Sequence, residues 1–337
     1  MKKLLFAIIA LQLAITTQAQ IPSGYYDGTE GLQEEQLKNA LHDIIKNHTE
    51  YSYSALKWML KETDEDPNNS SNVILLYTGR SQKKNTFGGG ANDWNREHVW
   101  AKSHGGFGTS APAGTDAHHL RPTDASVNSS RGNKDFDNGG QQHSEATGCY
   151  YTSTTWEARD EVKGDVARMI FYMAVRYEGG NGEPDLEVVD YTPTGTQPKH
   201  GKLSTLLEWN AQDPPDAFEI NRNNVIYSYQ NNRNPFIDHP EFVNLIWDPG
   251  AASVQENTSN HLRIFPNPAK DKIEVELFEK DQKIDIIEIY NLLGKKEVSL
   301  DVKNENSIID VSSFPNGIYF LKAIIGDKII TKRFVKR

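Results

Sequence analysis

The chain has little sulfur and few long apolar runs. One cysteine, Cys149, occurs in 337 residues. A single thiol excludes an intrachain disulfide framework, so stability must come from core packing, with a bound metal as the other available support. Cys149 itself reads as a buried small apolar residue. Beyond the N-terminus no apolar stretch approaches the ~20 residues that cross a bilayer. Basic residues are also in deficit, 36 Lys and Arg against 46 Asp and Glu. That balance excludes polyanion affinity as a property of the whole surface.

Aromatic residues are plentiful, with six Trp, fourteen Tyr and thirteen Phe, as in a folded chain. The length suits two domains. Residues 1–19 have the form of an export signal: Lys2 and Lys3, an apolar run from Leu4 to Ile15, then Thr16-Thr17-Gln18-Ala19 ending on a small residue. The run is too short for a membrane anchor, so a soluble, exported protein without a membrane span is expected.

Charge is unevenly spread. From Gln20 to Gly250 there are 20 Lys and Arg against 33 Asp and Glu, whereas Arg80–Lys134 carries eight against four. A locally basic strip on an acidic body can bind phosphate, with weak non-specific affinity elsewhere.

Residues 20–250 read as one domain rich in helix. Leu37, Leu41, Ile44 and Ile45 recur at helical spacing within Leu32–Asn47, and Tyr53–Lys61 reads as a second helix. Val73–Tyr77 reads as a buried strand, Trp156–Tyr177 as a long core helix, and Leu203–Asn210 and Ala217–Tyr229 as further helices. Residues 251–261 read as a linker. From Leu262 short alternating strands begin: Lys272–Phe278, Lys283–Tyr290, Lys296–Val302, Ser307–Val311, Gly317–Ile325 and Lys328–Lys336. Residues 262–337 are therefore expected to form a small β-sandwich. They contain no histidine and no cysteine, so no chemistry is expected there.

The chemistry-bearing stretch is Asn95–Asn133, which holds four of the ten histidines. It opens Asn95-Arg96-Glu97-His98-Val99-Trp100, continues Asp116-Ala117-His118-His119-Leu120-Arg121-Pro122-Thr123-Asp124, and closes Val127-Asn128-Ser129-Ser130-Arg131-Gly132-Asn133. A polar, Gly-rich segment of this length is more often a site than a scaffold. Local signals suggest strand, loop, strand, short helix. Arg96–Trp100 is the first strand, Leu120 ends the second, and Thr123 caps a helix that puts Asp124, Asn128 and Arg131 on one face and stops at Gly132. On a regular strand Glu97 and His98 point to opposite faces unless a bulge re-aims one.

Glu97 and Asn128 offer oxygen donors, which suit Mg²⁺, Mn²⁺ or Ca²⁺ better than Zn²⁺ and leave coordination positions for water and phosphate. His98 can serve as general base, and Arg131 can contact a phosphate oxygen. Base, metal and arginine together suit phosphodiester hydrolysis. Two other readings stay open on these residues alone: a Zn-dependent hydrolase using the histidine cluster, and a catalytically inactive surface binding module.

The three-part motif resembles the endonuclease I family of secreted or periplasmic nucleases with a ββα-metal active site. The likeness takes in the lead-in Ile21–Asp27 and the tail Asn234–Trp247, roughly Ile21 to Asp248 in all. The resemblance implies an α+β fold, mostly helical, around that motif. It implies His98 as general base, Glu97 and Asn128 as metal ligands, and Arg131 as a catalytic support of the phosphate or helix. Arg96, Arg121 and His118 are expected to bind or orient the substrate. The family cleaves DNA, and often RNA, without sequence preference and leaves 5′-phosphates. Ala101 stands where the family usually has Pro, and some relatives are disulfide-rich where this chain cannot be.

Residues 262–337 resemble the C-terminal sorting domain of the type IX secretion system. The likeness lies in Ile264-Phe265-Pro266-Asn267-Pro268, Ile289-Tyr290-Asn291-Leu292-Leu293-Gly294 and Pro315-Asn316-Gly317-Ile318-Tyr319-Phe320. It implies delivery to the cell surface or medium by that machinery. A monomer is expected.

Overall fold

The computed structural model describes residues 21–90, 92–249, 262–277, 283–291, 295–304, 306–326 and 328–337. The expected export signal and the linker at 251–261 lie outside the described residues. The chain divides into two compact units, one up to Pro249 and one from Gly250. Together they form a mixed α/β protein with eight α-helices and several sheets among the described residues.

The first unit is built on a helix buried along its whole length. Its helices are α1 (Glu34–Ile45), α2 (Tyr53–Thr63), α3 (Ala125–Arg131), α4 (Lys163–Arg176), α5 (Leu203–Gln212), α6 (Ala217–Gln230), α7 (Pro235–Asp238) and α8 (Glu241–Trp247). All fourteen residues of α4 are buried, as all-round apolar character at 166, 167, 169–171 and 173–175 dictates. Its four buried charged groups are all paired: Lys163 with Glu157 at 2.8 Å, Asp165 with Arg121 at 3.0 Å, Arg168 with Glu219 Oε2 at 2.6 Å and Arg176 with Glu183 at 2.8 Å. Amphipathic α1 lays Leu37, Leu41 and Ile45 on the same core.

Trp156–Tyr177 does not form one helix. Thr155–Glu157 is a strand, paired antiparallel with Tyr150–Tyr151 and parallel with Asp135–Phe136, and the helix starts only at Lys163. Sheet partners outside the expected helix, one near in sequence and one 20 positions away, claim those backbone groups before the helix can. Similarly the strand at Asn69–Ile74 ends before Leu75–Tyr77, where the Leu76 N–H donates to Pro122 O at 2.9 Å.

The feature that positions the site is a two-stranded antiparallel ladder, Trp94–His98 against Leu120–Asp124, running directly into α3. Leu120 begins the second strand rather than ending it, and Pro122 and Thr123 lie within it. The Pro122 backbone faces away from the partner strand, where its O accepts from Leu76 N–H, so the missing Pro122 N–H removes no bond of the ladder. Asp124 precedes α3 but does not cap it: its carboxylate accepts from Thr78 Oγ1 at 2.7 Å and from Arg80. It therefore shares no helix face with Asn128 and Arg131. Gly132 ends α3 at φ +59°, where its N–H reaches Asn128 O at 2.9 Å.

The second unit is β-rich. Lys272–Leu277 lies between Leu262–Phe265 and Asn306–Asp310 in one sheet. Lys296–Asn304, Ile284–Asn291, Gly317–Ile325 and Lys328–Lys336 follow one another in a second. All pairings between these strands are antiparallel. Alternate residues, among them Ile273, Val275, Ile287, Ile289, Leu321 and Ala323, fill one shared core, as period-2 patterning requires.

Candidate active site

A cleft of about 590 Å³ opens beside the ladder. It is lined by Tyr53 from α2, Asn95 to His98 from the first strand, Lys102 and Ser103 beyond it, and Asn128, Ser129 and Asn133 from α3 and its exit. The ladder register is regular through Glu97↔Arg121 and His98↔Leu120, so no bulge intervenes. Glu97 and His98 nevertheless both reach the cleft wall.

Asn128 is fixed by its amide nitrogen. Nδ2 donates to Asn95 Oδ1 at 2.7 Å and to Arg96 O at 3.1 Å. Both partners are acceptors, which sets the amide orientation and spends both N–H groups. The side-chain oxygen is thereby left as a neutral donor atom, on a helix pinned to the strand that carries Glu97.

Glu97 is buried. Its Oε1 accepts from Tyr77 Oη at 2.9 Å and pairs with Arg131 Nη1 at 3.1 Å. Burial pushes the carboxyl above its ordinary value, and Arg131 and Tyr77 pull it back in part. Oε2 takes part in neither contact.

His98 stacks on Tyr53 with centroids 5.6 Å apart, and its Nε2 lies 3.1 Å from Gly114 O. A carbonyl can only accept, so Nε2 carries the proton and Nδ1 keeps its lone pair. Burial first, then the neighbouring His119, draws the imidazole down to about 3. It is neutral at any pH well above that. Gly114 must be glycine: a Cβ there would come within 2.8 Å of Gly108 O and the Thr109 backbone.

Arg96 lies over the Tyr53 ring at 3.5 Å and donates to Tyr53 O while lining the cleft. That position suits a substrate contact. The other expected contacts do not fit their positions. Arg131 is 0% exposed. It donates to His98 O at 3.0 Å and Val99 O at 2.6 Å, and lies 3.3 Å from His200 Nε2. It cannot touch a phosphate in this geometry and instead braces Glu97 and the strand end. Arg121 is 1% exposed, held by Asp64 at 2.6 Å and Asp165 at 3.0 Å. His118 is also 1% exposed, against Asn232 O at 3.2 Å and 4.4 Å from the Tyr172 ring. Both belong to the interior scaffold, because their counter-groups lie there.

Sequence reasoning missed Tyr77, Gly114 and His200. Tyr77 sat inside an apolar run and Gly114 among many loop glycines, so neither carried a local signal. His200 joins His104 and Asp135 in a buried group of metal-donor type. Three of its four ring nitrogens already have protein neighbours, however, and only His104 Nε2 is without a hydrogen-bond partner. His104 Nδ1 lies 2.9 Å from Lys199 O, and His200 Nε2 faces the Arg131 guanidinium.

The model of the family described as endonuclease I matches residues 33–241, which include every residue of this cleft. The chain belongs to the endonuclease I family. It is a nuclease that hydrolyses phosphodiester bonds, of a divalent-metal-dependent family. The extracellular ribonuclease of Bacillus subtilis (strain 168) is 63% identical over 224 residues, 66% of this chain and 78% of that protein. The extracellular ribonuclease of Bacillus amyloliquefaciens is 60% identical over 235 residues, 69% and 81% respectively. Residues 263–337 match a secretion system C-terminal sorting domain. The nuclease is therefore a secreted or cell-surface protein of type IX export. Among the described residues no helix is long and apolar enough to cross a membrane.

Proposed function

We propose that the strand–strand–helix unit is a ββα-metal motif that hydrolyses both RNA and DNA without sequence preference. Glu97 Oε2 and Asn128 Oδ1 would hold one divalent ion, Mg²⁺ by donor type, with Mn²⁺ or Ca²⁺ as substitutes. Bound there, the ion supplies charge neutralisation at the phosphate and the departing 3′-oxygen. His98 Nδ1 takes the proton of the attacking water while Gly114 O holds Nε2–H, and products carry 5′-phosphates. Arg96 binds substrate phosphate. Arg131 acts through Glu97 as a positioning residue. Residues 20–250 are the catalytic domain, 1–19 the export signal, 251–261 a linker and 262–337 the sorting domain; the enzyme works as a monomer. RNA stands beside DNA because both curated relatives bear the name ribonuclease.

The observation that carries this reading is the Asn128 amide, whose two N–H groups are both spent on the strand bearing Glu97. The deciding experiment is cleavage of single-stranded RNA and plasmid DNA after EDTA treatment, with Mg²⁺, Mn²⁺, Ca²⁺ and Zn²⁺ added back singly. Mg²⁺ should restore both activities. Restoration by Zn²⁺ alone would transfer the chemistry to a histidine site, and intact substrates in every ion would make the chain a binding module.

A further inference from the structure

One face of α2 is not used by the core. Leu56, Met59, Leu60 and Thr63 turn inward, while Tyr53, Lys57 and Lys61 recur every fourth residue on the outer side. Tyr53 lines the cleft. The stripe therefore starts at the catalytic site and runs about 12 Å from it, at 1.5 Å of rise per residue. Trp58 stands beside the stripe and is 64% exposed, more than any other large apolar side chain described in the first unit.

Cations and rings alternate along this face. Arg96 lies 3.5 Å from the Tyr53 centroid and 5.1 Å from that of Phe87. Lys57 Nζ lies 4.8 Å from Phe87 and 5.5 Å from Trp58, and Lys61 Nζ 4.2 Å from Trp58. Neither Lys57 nor Lys61 has an ion-pair partner among the described residues. Glu62, on the same helix, is engaged by the Tyr229 hydroxyl. The Lys61 ammonium is drawn below its ordinary value by desolvation and then by Lys57 and Lys84. Unneutralised like charges and an exposed indole are unfavourable in the free protein, and the chain around them carries a net charge of −10.

We propose that this face of α2 is an extension of the substrate site that grips a single-stranded polynucleotide, with a base stacked on Trp58 and Lys57 and Lys61 on the flanking phosphates. The proposal rests on the nuclease cleft argued above and names the form of substrate it prefers. In a duplex the base faces are stacked on one another and closed to an indole. A single strand offers each of them, and stacking of this kind tolerates any sequence. The flexible lysine stems can leave the ring for phosphate, while the pairing of ring and cation keeps both in place until substrate arrives.

The test is fluorescence anisotropy with a 5′-fluorescein single-stranded RNA of about 15 nucleotides, within the range such sites cover, and a duplex of the same sequence. The protein is the full chain carrying His98→Ala, which keeps the probe intact. Adding Trp58→Ala should weaken single-strand binding about tenfold and duplex binding less than twofold. Trp58→Phe should recover most of the loss. Lys57→Gln with Lys61→Gln should weaken binding and lower its salt dependence by roughly two phosphate contacts. Single-strand binding within twofold of the parent in both Trp58→Ala and the lysine pair would overturn the proposal, as would equal losses on duplex and single strand. A failure of the nuclease reading looks different: the parent would bind neither probe, and the chain with His98 intact would cleave neither.

Discussion

Replacing Arg131 by Met should damage the nuclease more than any loss of a surface arginine could. The side chain is fully buried, and three of its partners are fixed: Glu97 Oε1 at 3.1 Å, His98 O at 3.0 Å and Val99 O at 2.6 Å. Methionine fills much of the volume but leaves a buried carboxylate with only the Tyr77 hydroxyl, and two carbonyls without this donor. Removing one partner of a buried pair costs about 3–5 kcal/mol. For a unit of this size each kcal/mol moves the melting temperature about 2–4 °C, so the expected loss is roughly 6–20 °C. All six tryptophans precede residue 250, so tryptophan fluorescence, excited selectively, follows this unit alone. The sharper result is the coupling. Adding Glu97→Gln to Arg131→Met removes the uncompensated charge, so the double variant should be less destabilised than the two single losses summed, by about 0.5–3 kcal/mol. With Glu97 intact, loss of Arg131 should also weaken the activating metal about 10- to 100-fold, as loss of a group orienting a ligand does. A melting point within about 2 °C of the parent, with strictly additive losses in the double variant, would refute the bracing role.

Other consequences follow from the same geometry. His98→Ala should lower kcat by about 10²–10⁴-fold with Kd for RNA little changed, by turnover and anisotropy; parental turnover would remove it as base. Gly114→Ala should also lower kcat, because the new Cβ displaces the carbonyl that sets the His98 tautomer; an unchanged kcat would show that the tautomer is set elsewhere. Glu97, not His98, should set the acidic limb of the pH profile, since burial raises the carboxyl while the imidazole sits near 3. The metal needs the ionised carboxylate, so activity should fall as pH drops through the Glu97 value, and the limb should move to lower pH as Mg²⁺ is raised. A limb indifferent to Mg²⁺ would disconnect Glu97 from the ion. In stability the sign runs the other way. A carboxyl raised in the folded state binds more protons there, so its stabilising contribution is present at low pH and lost as pH rises through the raised value.

What could be read from the chain alone was what repeats locally. The α1 stripe, the alternating strands after Leu262 and the order strand, loop, strand, helix all rest on spacing within a few residues. Direction was harder. Arg121 and Arg131 looked alike as free cations, because the partners that bury them, Asp64 and Glu97, lie 57 and 34 positions away. A partner outside local reach also broke the predicted helix at Trp156, where Asp135–Phe136, 20 positions away, pairs with the strand. That Glu97, His98 and Asn128 share one cleft was legible because they carry a motif; the contacts that orient them, from Tyr77, Gly114 and Arg131, were not, because each runs through an atom whose position only the fold decides.

That division explains how an acidic chain can degrade a polyanion. Charges beyond about 8 Å are largely screened at physiological salt, so the acid excess acts mainly as a weak and diffuse repulsion. Substrate at the cleft meets a different surface. Glu97 has its charge offset within the protein by Arg131, and Asn128 is neutral. Arg96, Lys57 and Lys61 lie at the rim or along α2, stacked on rings rather than neutralised by acids. The cations that were buried, Arg121 and Arg131, are spent on holding the frame still. On the proposed path along α2, Arg96, Lys57 and Lys61 concentrate positive charge where a strand would leave the cleft, so attraction is greatest where binding leads to cleavage.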